Sequence, residues 1–130
     1  MPGPVNVSLD VRNGSSGGAG GYTDVIASNG QTYNYKYTGG TDNHGNVNVS
    51  VGHGQAAITV TVETDARYSI PNITFSPADT QFTWHAGGHA AVAVIVDTAV
   101  TVVSVKYTVS VFDINAGCTI PCDPVIHNVP

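Results

Sequence analysis

Apolar and polar residues alternate along most of this chain, so that every second side chain is apolar. The clearest row begins at Val5, and the same spacing recurs in four later segments. The apolar positions of the five rows are Val5, Val7, Leu9 and Val11; Tyr33, Tyr35 and Tyr37; Val47, Val49 and Val51; Ile58, Val60 and Val62; and Val103, Val105, Tyr107, Val109 and Val111. A period of two is typical of a β-strand with one buried face. The pattern therefore predicts antiparallel sheets with one face turned to water.

Three segments depart from simple alternation. Residues 90–96 are apolar on both faces, which predicts a central strand. Residues 101–113 form the longest run, and Phe112 lies out of phase with its apolar row, so we expect a bulge or a partner contact there. Pro71 and Pro77 flank two short apolar segments, and proline favours the edges of sheets.

Turn-forming residues separate the predicted strands. Residues 38–46 are rich in Gly, Asp and Asn and predict a hairpin connection. Residues 14–21 consist mainly of Gly and Ser and predict a mobile loop inside the domain. Residues 117–130 contain several prolines and predict an extended C-terminal tail. The strand spacing predicts one all-β domain over residues 1–130, an immunoglobulin-like or Greek-key β-sandwich of about seven to nine antiparallel strands.

Charge is scarce and mostly negative. Charged residues make up 10% of the chain, against ~25% in typical proteins, and the net charge is −5. The four cations are scattered at Arg12, Lys36, Arg67 and Lys106. Because nucleic acids and anionic membranes select clustered cations, we expect neither as a partner. No signal-peptide pattern opens the chain, so a cytoplasmic location is the default and a secreted mature form stays an alternative.

Two histidines, His85 and His89, are the first candidate metal ligands. On a helix their spacing would place both imidazoles on one face. Two glycines lie between them, however, and the segment joins two predicted strands. A loop can present both rings to one metal ion, but no carboxylate or thiol nearby supplies a third ligand. The alternative is an exposed loop with two solvated imidazoles.

Two cysteines, Cys118 and Cys122, allow three interpretations. In an oxidising compartment they form a candidate disulfide that closes a small loop, and in a reducing one they are free thiols. Together with His127 and His85 or His89 they also form a candidate zinc or redox site. Redox pairs normally have two residues between the thiols, whereas three lie between these.

Signals of catalysis are missing from the sequence. The eight Asp residues and the single Glu63 lie singly along the chain rather than as an acid–base pair. We therefore expect no enzyme activity and no cofactor.

The C-terminal half resembles a known family. Three segments carry the resemblance: residues 72–79, residues 81–84, and the closing residues 123–130 with Asp123-Pro124. These segments resemble the DP-EP family of small bacterial proteins and, more loosely, the PixA/AidA-like inclusion-body proteins. Val129 precedes the final Pro130, so the acidic residue of the family's second motif is absent. The resemblance implies a compact β-sandwich without catalytic residues, in which Asp123-Pro124 pins the chain end against the sheet through backbone N–H bonds to Asp.

Three hypotheses of function follow. The leading one is a non-catalytic bacterial β-sandwich that acts by self-association or partner binding, as a dimer or higher homo-oligomer, with the long strand 101–113 overhanging its sheet and pairing across the oligomer axis. The second is a small-ligand or carbohydrate-binding module, with a protein or glycan partner, which requires exposed and coplanar tyrosines. The third is a metal or redox protein that uses the histidines and cysteines named above.

Overall fold

The computed structural model describes residues 5–15, 19–62, 68–77, 79–88, 91–123 and 125–129. Within these ranges the chain is almost entirely β, with one short 3₁₀ turn at Ala19–Gly21. The eleven strands are β1 (Val5–Asn13), β2 (Thr23–Ile26), β3 (Thr32–Gly39), β4 (Val47–Ser50), β5 (Ala56–Val62), β6 (Tyr68–Ser76), β7 (Phe82–Ala86), β8 (Val92–Asp97), β9 (Val103–Asp113), β10 (Cys118–Cys122) and β11 (Val125–Val129).

The strands form two sheets that enclose one core, so the predicted β-sandwich is confirmed. The six-stranded sheet has the order β2-β3-β1-β5-β8-β7, and the five-stranded sheet contains β6, β9, β10, β11 and β4. Both sheets are mixed, because β1 pairs with β5 in parallel and β11 pairs with β4 in parallel. The all-antiparallel pairing was therefore wrong. Alternation marks which side chains point inward but carries no information on strand direction.

The connection at residues 38–46 is not the predicted hairpin. It carries the chain from β3 in the six-stranded sheet to β4 in the five-stranded sheet, and these two strands do not pair. Asp42 organises the turn, since its Oδ1 accepts the backbone N–H groups of His44 at 2.8 Å and Asn46 at 3.3 Å. The turn itself was thus predicted correctly, but a turn sequence does not reveal whether the chain stays in one sheet.

Strands β10 and β11 together form one long partner of β9. Cys122 pairs with Val109 and Val125 pairs with Lys106. The register on β9 therefore continues without a shift from β10 to β11. The predicted C-terminal tail is extended, as expected, but it lies within the sheet rather than against it.

Strand β9 is central and paired along its length. β6 lies on one side of it, and β10 and β11 lie on the other. Only residues 103–105 extend beyond β6, so the expected long overhang is absent, and pairing across an oligomer axis stays a prediction. The bulge expected near Phe112 is present on its neighbour, between Ser69 and Asn72 of β6. The prediction of a central strand at 90–96 is confirmed by β8, which lies between β5 and β7.

Three buried tyrosines connect the two halves of the sandwich. The hydroxyl of Tyr33 donates to the Asp113 carboxyl at 2.7 Å, and that of Tyr37 donates to the Cys122 carbonyl at 3.0 Å. Tyr107 in the opposite sheet donates to the carbonyl of Gly45 at 2.7 Å. Burial raises the pKa of Tyr37 well above its ordinary value, so this hydroxyl remains a donor at physiological pH. The core thus has specific polar joints as well as aliphatic rows.

Candidate functional site

A charged groove of about 430 Å³ lies on the outer face of the six-stranded sheet. Strand β1 supplies Asp10 and Arg12, whose side chains point outward because they alternate with the buried Leu9 and Val11. Strand β3 supplies Lys36, and Tyr22 follows the short 3₁₀ turn and lies against these side chains. The name "charged groove" is kept below for Asp10, Arg12, Tyr22 and Lys36.

One aromatic ring organises the charges of this groove. The Arg12 guanidinium lies 5.1 Å from the centroid of Tyr22, and the Lys36 ammonium lies 5.7 Å from it. Asp10 accepts two bonds from Arg12, at 3.1 and 3.2 Å, and also the Tyr22 hydroxyl. The hydrogen bond to Asp10 is the main cause that raises the pKa of Tyr22. In the described part of the chain, Lys36 has no carboxylate within ion-pair distance.

A second cleft of about 300 Å³ shares Lys36 with the charged groove. It lies beside the start of β2, where Thr23 pairs with Tyr35 of β3. Residues 36–39 of β3 therefore have no described strand neighbour on that side. Tyr35, His44 and Asp123 also line it. The Asp123 carboxylate accepts the Thr108 hydroxyl at 2.6 Å and lies 3.6 Å from the Lys106 ammonium. The two clefts meet at Lys36.

Asp123 binds differently from the expectation drawn from the resemblance. Its carboxylate contacts side chains of β9 rather than backbone N–H groups, while its own N–H donates to the Tyr35 hydroxyl at 3.4 Å. Pro124 lies outside the described residues. Asp123 nevertheless joins the C-terminal strand to both sheets, so a pinning role is consistent with these contacts.

The predicted metal ligands do not converge. His85 is exposed near the end of β7, and His89 lies outside the described residues. Cys118 and Cys122 point into the core, whereas His127 points outward from the same sheet and contacts the Ser104 hydroxyl at 2.8 Å. Among the described residues, no group of three His, Cys, Asp or Glu side chains is placed to hold a metal ion. The described residues thus give no support to a joint zinc or redox site, and a site that includes His89 stays a prediction.

The candidate disulfide does not fit the fold. Cys118 and Cys122 are both buried free cysteines in one extended strand. Four strand residues span about 13 Å, whereas a disulfide requires Cα atoms within about 7 Å. Burial also raises the pKa of the Cys122 thiol well above its ordinary value, which disfavours the reactive thiolate. Both side chains are core residues of β10.

The tyrosines do not form an exposed stacking platform in the described part of the chain. Tyr33, Tyr37, Tyr68 and Tyr107 are buried in the core. Tyr22 and Tyr35 are partly exposed, but they face different clefts. Sugar binding by a row of coplanar rings thus finds no support in the geometry.

The charged groove was not predicted from the sequence. Asp10 and Arg12 lie in the outward row of β1, so the alternation in the sequence predicts that these two side chains share one face of the strand. Tyr22 reaches them only because the chain returns after the Gly-rich segment, and no local pattern encodes that return. In the sequence, Lys36 is only one of four scattered cations.

A different kind of site is the exposed edge of β7. This strand pairs with β8 on one side, and none of the described strands pairs with it on the other. Thr83 and His85 point to solvent, while Trp84 is half-buried between the sheets. Phe75 of β6 is also half-buried and stacks on Phe82 with ring centroids 5.6 Å apart. The name "β7 edge" is used below for this strand with Trp84 and Phe75.

Comparison of the chain with models of protein families gives no match, and comparison with curated proteins gives none either. The resemblance to DP-EP proteins therefore stays a prediction. Over the described ranges, no helix has the length and apolar character required to span a membrane.

Proposed function

We propose that this protein is a non-catalytic β-sandwich that self-associates through its β7 edge. The observation that carries the proposal is that none of the described strands pairs with one side of β7, where only the N–H of Phe82, at the start of the strand, is bonded, to the Asp79 carbonyl at 3.1 Å. It contains no proline, lysine, arginine or carboxylate over its five residues. Natural proteins normally protect such an edge, because an open strand is a template for pairing with another chain.

The other sheet edges carry more protection than β7. Strand β6 contains Pro71 and a bulge, both of which interrupt pairing. Beyond β2, the N–H of Ser28 donates to the Thr119 carbonyl at 2.9 Å and ties that edge to β10. In β4, only four residues long, the N–H of Asn48 already donates to the Thr41 hydroxyl at 2.9 Å. This contrast selects β7 as the pairing edge.

The partner that we propose for the β7 edge is a second copy of this chain. Two β7 strands paired antiparallel about a two-fold axis would join two six-stranded sheets into one continuous sheet. The same approach would cover Trp84 and Phe75, and buried aromatic side chains contribute most at such interfaces. The low charge of the chain also removes much of the repulsion between copies.

Introducing a cation at the β7 edge should weaken the dimer. In the Thr83→Lys variant, two like charges would approach each other across the axis, and we expect the dissociation constant to rise at least about tenfold, or 1.4 kcal/mol. The matched control is Thr74→Lys, the same change at an exposed position of the other outer strand, β6. Sedimentation equilibrium from micromolar to millimolar concentration measures both.

Two outcomes would contradict self-association through β7. One is a wild-type mass of 13.4 kDa at every concentration. The other is an equal loss of affinity in Thr74→Lys and Thr83→Lys, which would place the interface elsewhere. Circular dichroism of each variant verifies that the sandwich still folds.

A second candidate function is the binding of a small carboxylate in the charged groove. The groove volume lies in the range of about 300–1,000 Å³ that is usual for ligand sites. Arg12 and Lys36 outweigh Asp10 by one charge there, although the whole chain carries −5. The Lys36 ammonium, beside a partly exposed ring, is the group that supports an anionic ligand.

Removing the Lys36 charge should weaken this affinity. Titration of the wild type with acetate, benzoate and glucuronate, followed by amide NMR, should shift β1 residues 8–12 and β3 residues 36–38. We expect Lys36→Gln to raise the dissociation constant of the tightest of these at least about fivefold, since an ion pair of partial burial contributes about 1 kcal/mol or more. Lys106→Gln is the control, because Lys106 lies outside the groove. No shift at these amides with any of the three probes would dismiss the ligand site.

A further inference from the structure

A buried polar cluster lies at the end of the sandwich where β7 begins and where β8 and β11 end. Asp97 is 0% exposed and Asn128 is 1% exposed, while Gln81 beside them is 8% exposed. Asp97 belongs to the six-stranded sheet and Asn128 to the five-stranded sheet. The cluster therefore joins the two sheets, beside the first residue of β7 and away from the charged groove.

The Asn128 side-chain amide is the centre of the cluster. Its Nδ2 donates to Asp97 Oδ1 at 3.2 Å, to Gln81 Oε1 at 3.1 Å and to the Thr101 carbonyl at 3.2 Å. Asp97 Oδ1 also accepts the N–H of Ala99 at 2.9 Å. Ala99 has the left-handed φ of 53°, so the cluster holds a backbone conformation that alanine rarely adopts.

Two oxygen atoms of the same pair are unsatisfied. Asp97 Oδ2 and Asn128 Oδ1 are both buried, and neither has a hydrogen-bond partner among the described residues. A buried acceptor without a donor is costly, and a buried carboxylate without a counter-ion is more so. No described cation is paired with Asp97, since Arg12 and Lys36 line the charged groove and Lys106 lies beside Asp123.

We propose that Asp97 carries a proton in the folded state and that its Oδ2–H group donates to Asn128 Oδ1. One proton then removes the buried charge and satisfies both orphaned oxygens. The carboxylic acid and the amide form a reciprocal pair, with Asn128 Nδ2 donating in one direction and Asp97 Oδ2 in the other. The pair is a proton-dependent joint between the two sheets.

Other occupants suit this cluster less well. A water molecule would satisfy both oxygens but would leave the carboxylate charge buried and unpaired. A metal ion would lie against the Asn128 amide, whose N–H groups already point at the three acceptors around it. A proton needs no additional space and matches the acceptor character of both atoms.

The surroundings of Asp97 favour the neutral acid. Burial is the main cause that raises its pKa, and the Asp79 carboxylate raises it further, while hydrogen bonds from Ala99 and Asn128 act in the opposite direction. The other side chains around the pair are neutral: Gln81 before β7, and Thr101 in the β8–β9 connection. The adjacent β4–β5 turn carries the exposed His53, and Gly52 of that turn donates to the Ala99 carbonyl.

The sign of the pH dependence follows from linkage. Because the folded pKa of Asp97 is raised above its unfolded value of about 3.9, its contribution is fully favourable below that pH. As pH rises through the window between the unfolded and folded pKa, the unfolded state releases its proton first and stability falls. The equilibrium constant for unfolding should rise about tenfold per pH unit inside that window and level off above the folded pKa.

The Asp97→Asn variant provides the test. Its side-chain amide replaces the acid O–H by an N–H donor and cannot ionise. Urea denaturation between pH 3 and 8 gives the unfolding constants of wild type and of Asp97→Asn. The ratio of wild type to variant should increase about tenfold per pH unit between the unfolded and the folded pKa of Asp97. A ratio that stays constant, or that falls as pH rises, would overturn the proposal.

A measurement on the wild type alone guards against a variant that fails to fold. The ¹³C resonance of the Asp97 carboxyl carbon, titrated in the native protein, should change from its protonated to its ionised shift at a pH above the ordinary aspartate pKa of about 3.9. Ionisation at or below the ordinary value would show that the pair holds a carboxylate, and the shared proton would be excluded.

Discussion

Replacing Gly45 by alanine should destabilise the folded protein by about 3–5 kcal/mol, one of the largest effects we expect from a single methyl group. Gly45 has φ +83°, and a Cβ atom there would lie 2.6 Å from the Cβ and Cγ atoms of Tyr37. These atoms are the base of a buried ring, whose hydroxyl is itself fixed to the Cys122 carbonyl. The ring therefore has little room to move away.

Matched glycines separate the clash from the backbone conformation. Gly30 and Gly52 have φ values of +82° and +81°, close to that of Gly45, but a Cβ at either position meets no described atom within 4 Å. Alanine at those sites should cost only about 1–2 kcal/mol, the ordinary cost of the left-handed region. Urea denaturation at constant m-value measures all three. If Gly45→Ala lost no more stability than the controls, the packing of the turn on Tyr37 would not be the cause.

The Gly45 contact explains why the β3–β4 connection is more than a surface loop. Tyr37 packs under the turn, and Tyr107 from the opposite sheet donates to the Gly45 carbonyl. The turn thus fixes the point at which the chain passes from one sheet to the other. From the sequence, the Gly and Asn content predicted a turn but not its inward face, because that face is set by residues distant in the chain.

The inward rows of the sheets were predictable, and the pairing was not. Val7, Leu9 and Val11 are all buried, as period-two alternation requires. The parallel pairing of β1 with β5 depends on how the chain crosses between sheets, and strands of either direction show the same alternation. Alternation also does not show which strands are central. The length of residues 101–113 therefore predicted an overhang, whereas β9 lies in the centre of its sheet.

The candidate sites were the least predictable part. The sequence drew attention to His85 and to the cysteines because their chemistry is conspicuous, yet the fold separates them. The charged groove and the Asp97–Asn128 pair use common residue types whose only distinction is their position. Asn128 lies in the closing segment of the family resemblance, and Gln81 opens another of its segments, so two of those segments meet at the same structural joint.

Loss of the Asp113 carboxyl should be as damaging as the Gly45 substitution. Asp113 and Tyr33 are 0% and 1% exposed, and the Tyr33 hydroxyl donates to Asp113 Oδ2 at 2.7 Å. The other oxygen accepts the N–H groups of Asn115 at 3.1 Å and Ala116 at 3.4 Å, which shape the β9–β10 turn. Asp113→Ala leaves several donors without an acceptor, and an unsatisfied buried donor costs about 1–3 kcal/mol. We expect a total loss of about 3–5 kcal/mol.

A double-mutant cycle with Tyr33→Phe separates these contributions. Tyr33→Phe alone should cost about 1 kcal/mol, because it removes the bond to Asp113 and the weak bond from the Cys118 thiol at 3.3 Å, and leaves a carboxyl group that still binds the turn. In the Tyr33→Phe background no hydroxyl is left unsatisfied at this position, so Asp113→Ala should cost about 1–2 kcal/mol less than in the wild type. Additivity within about 0.5 kcal/mol would mean that Asp113 acts through the turn alone. Strong coupling would instead establish that the Tyr33–Asp113 bond between β3 and β9 stabilises this end of the sandwich. Asn128 pairs with Val103 at the other end of β9, so the two polar joints lie at opposite ends of that strand.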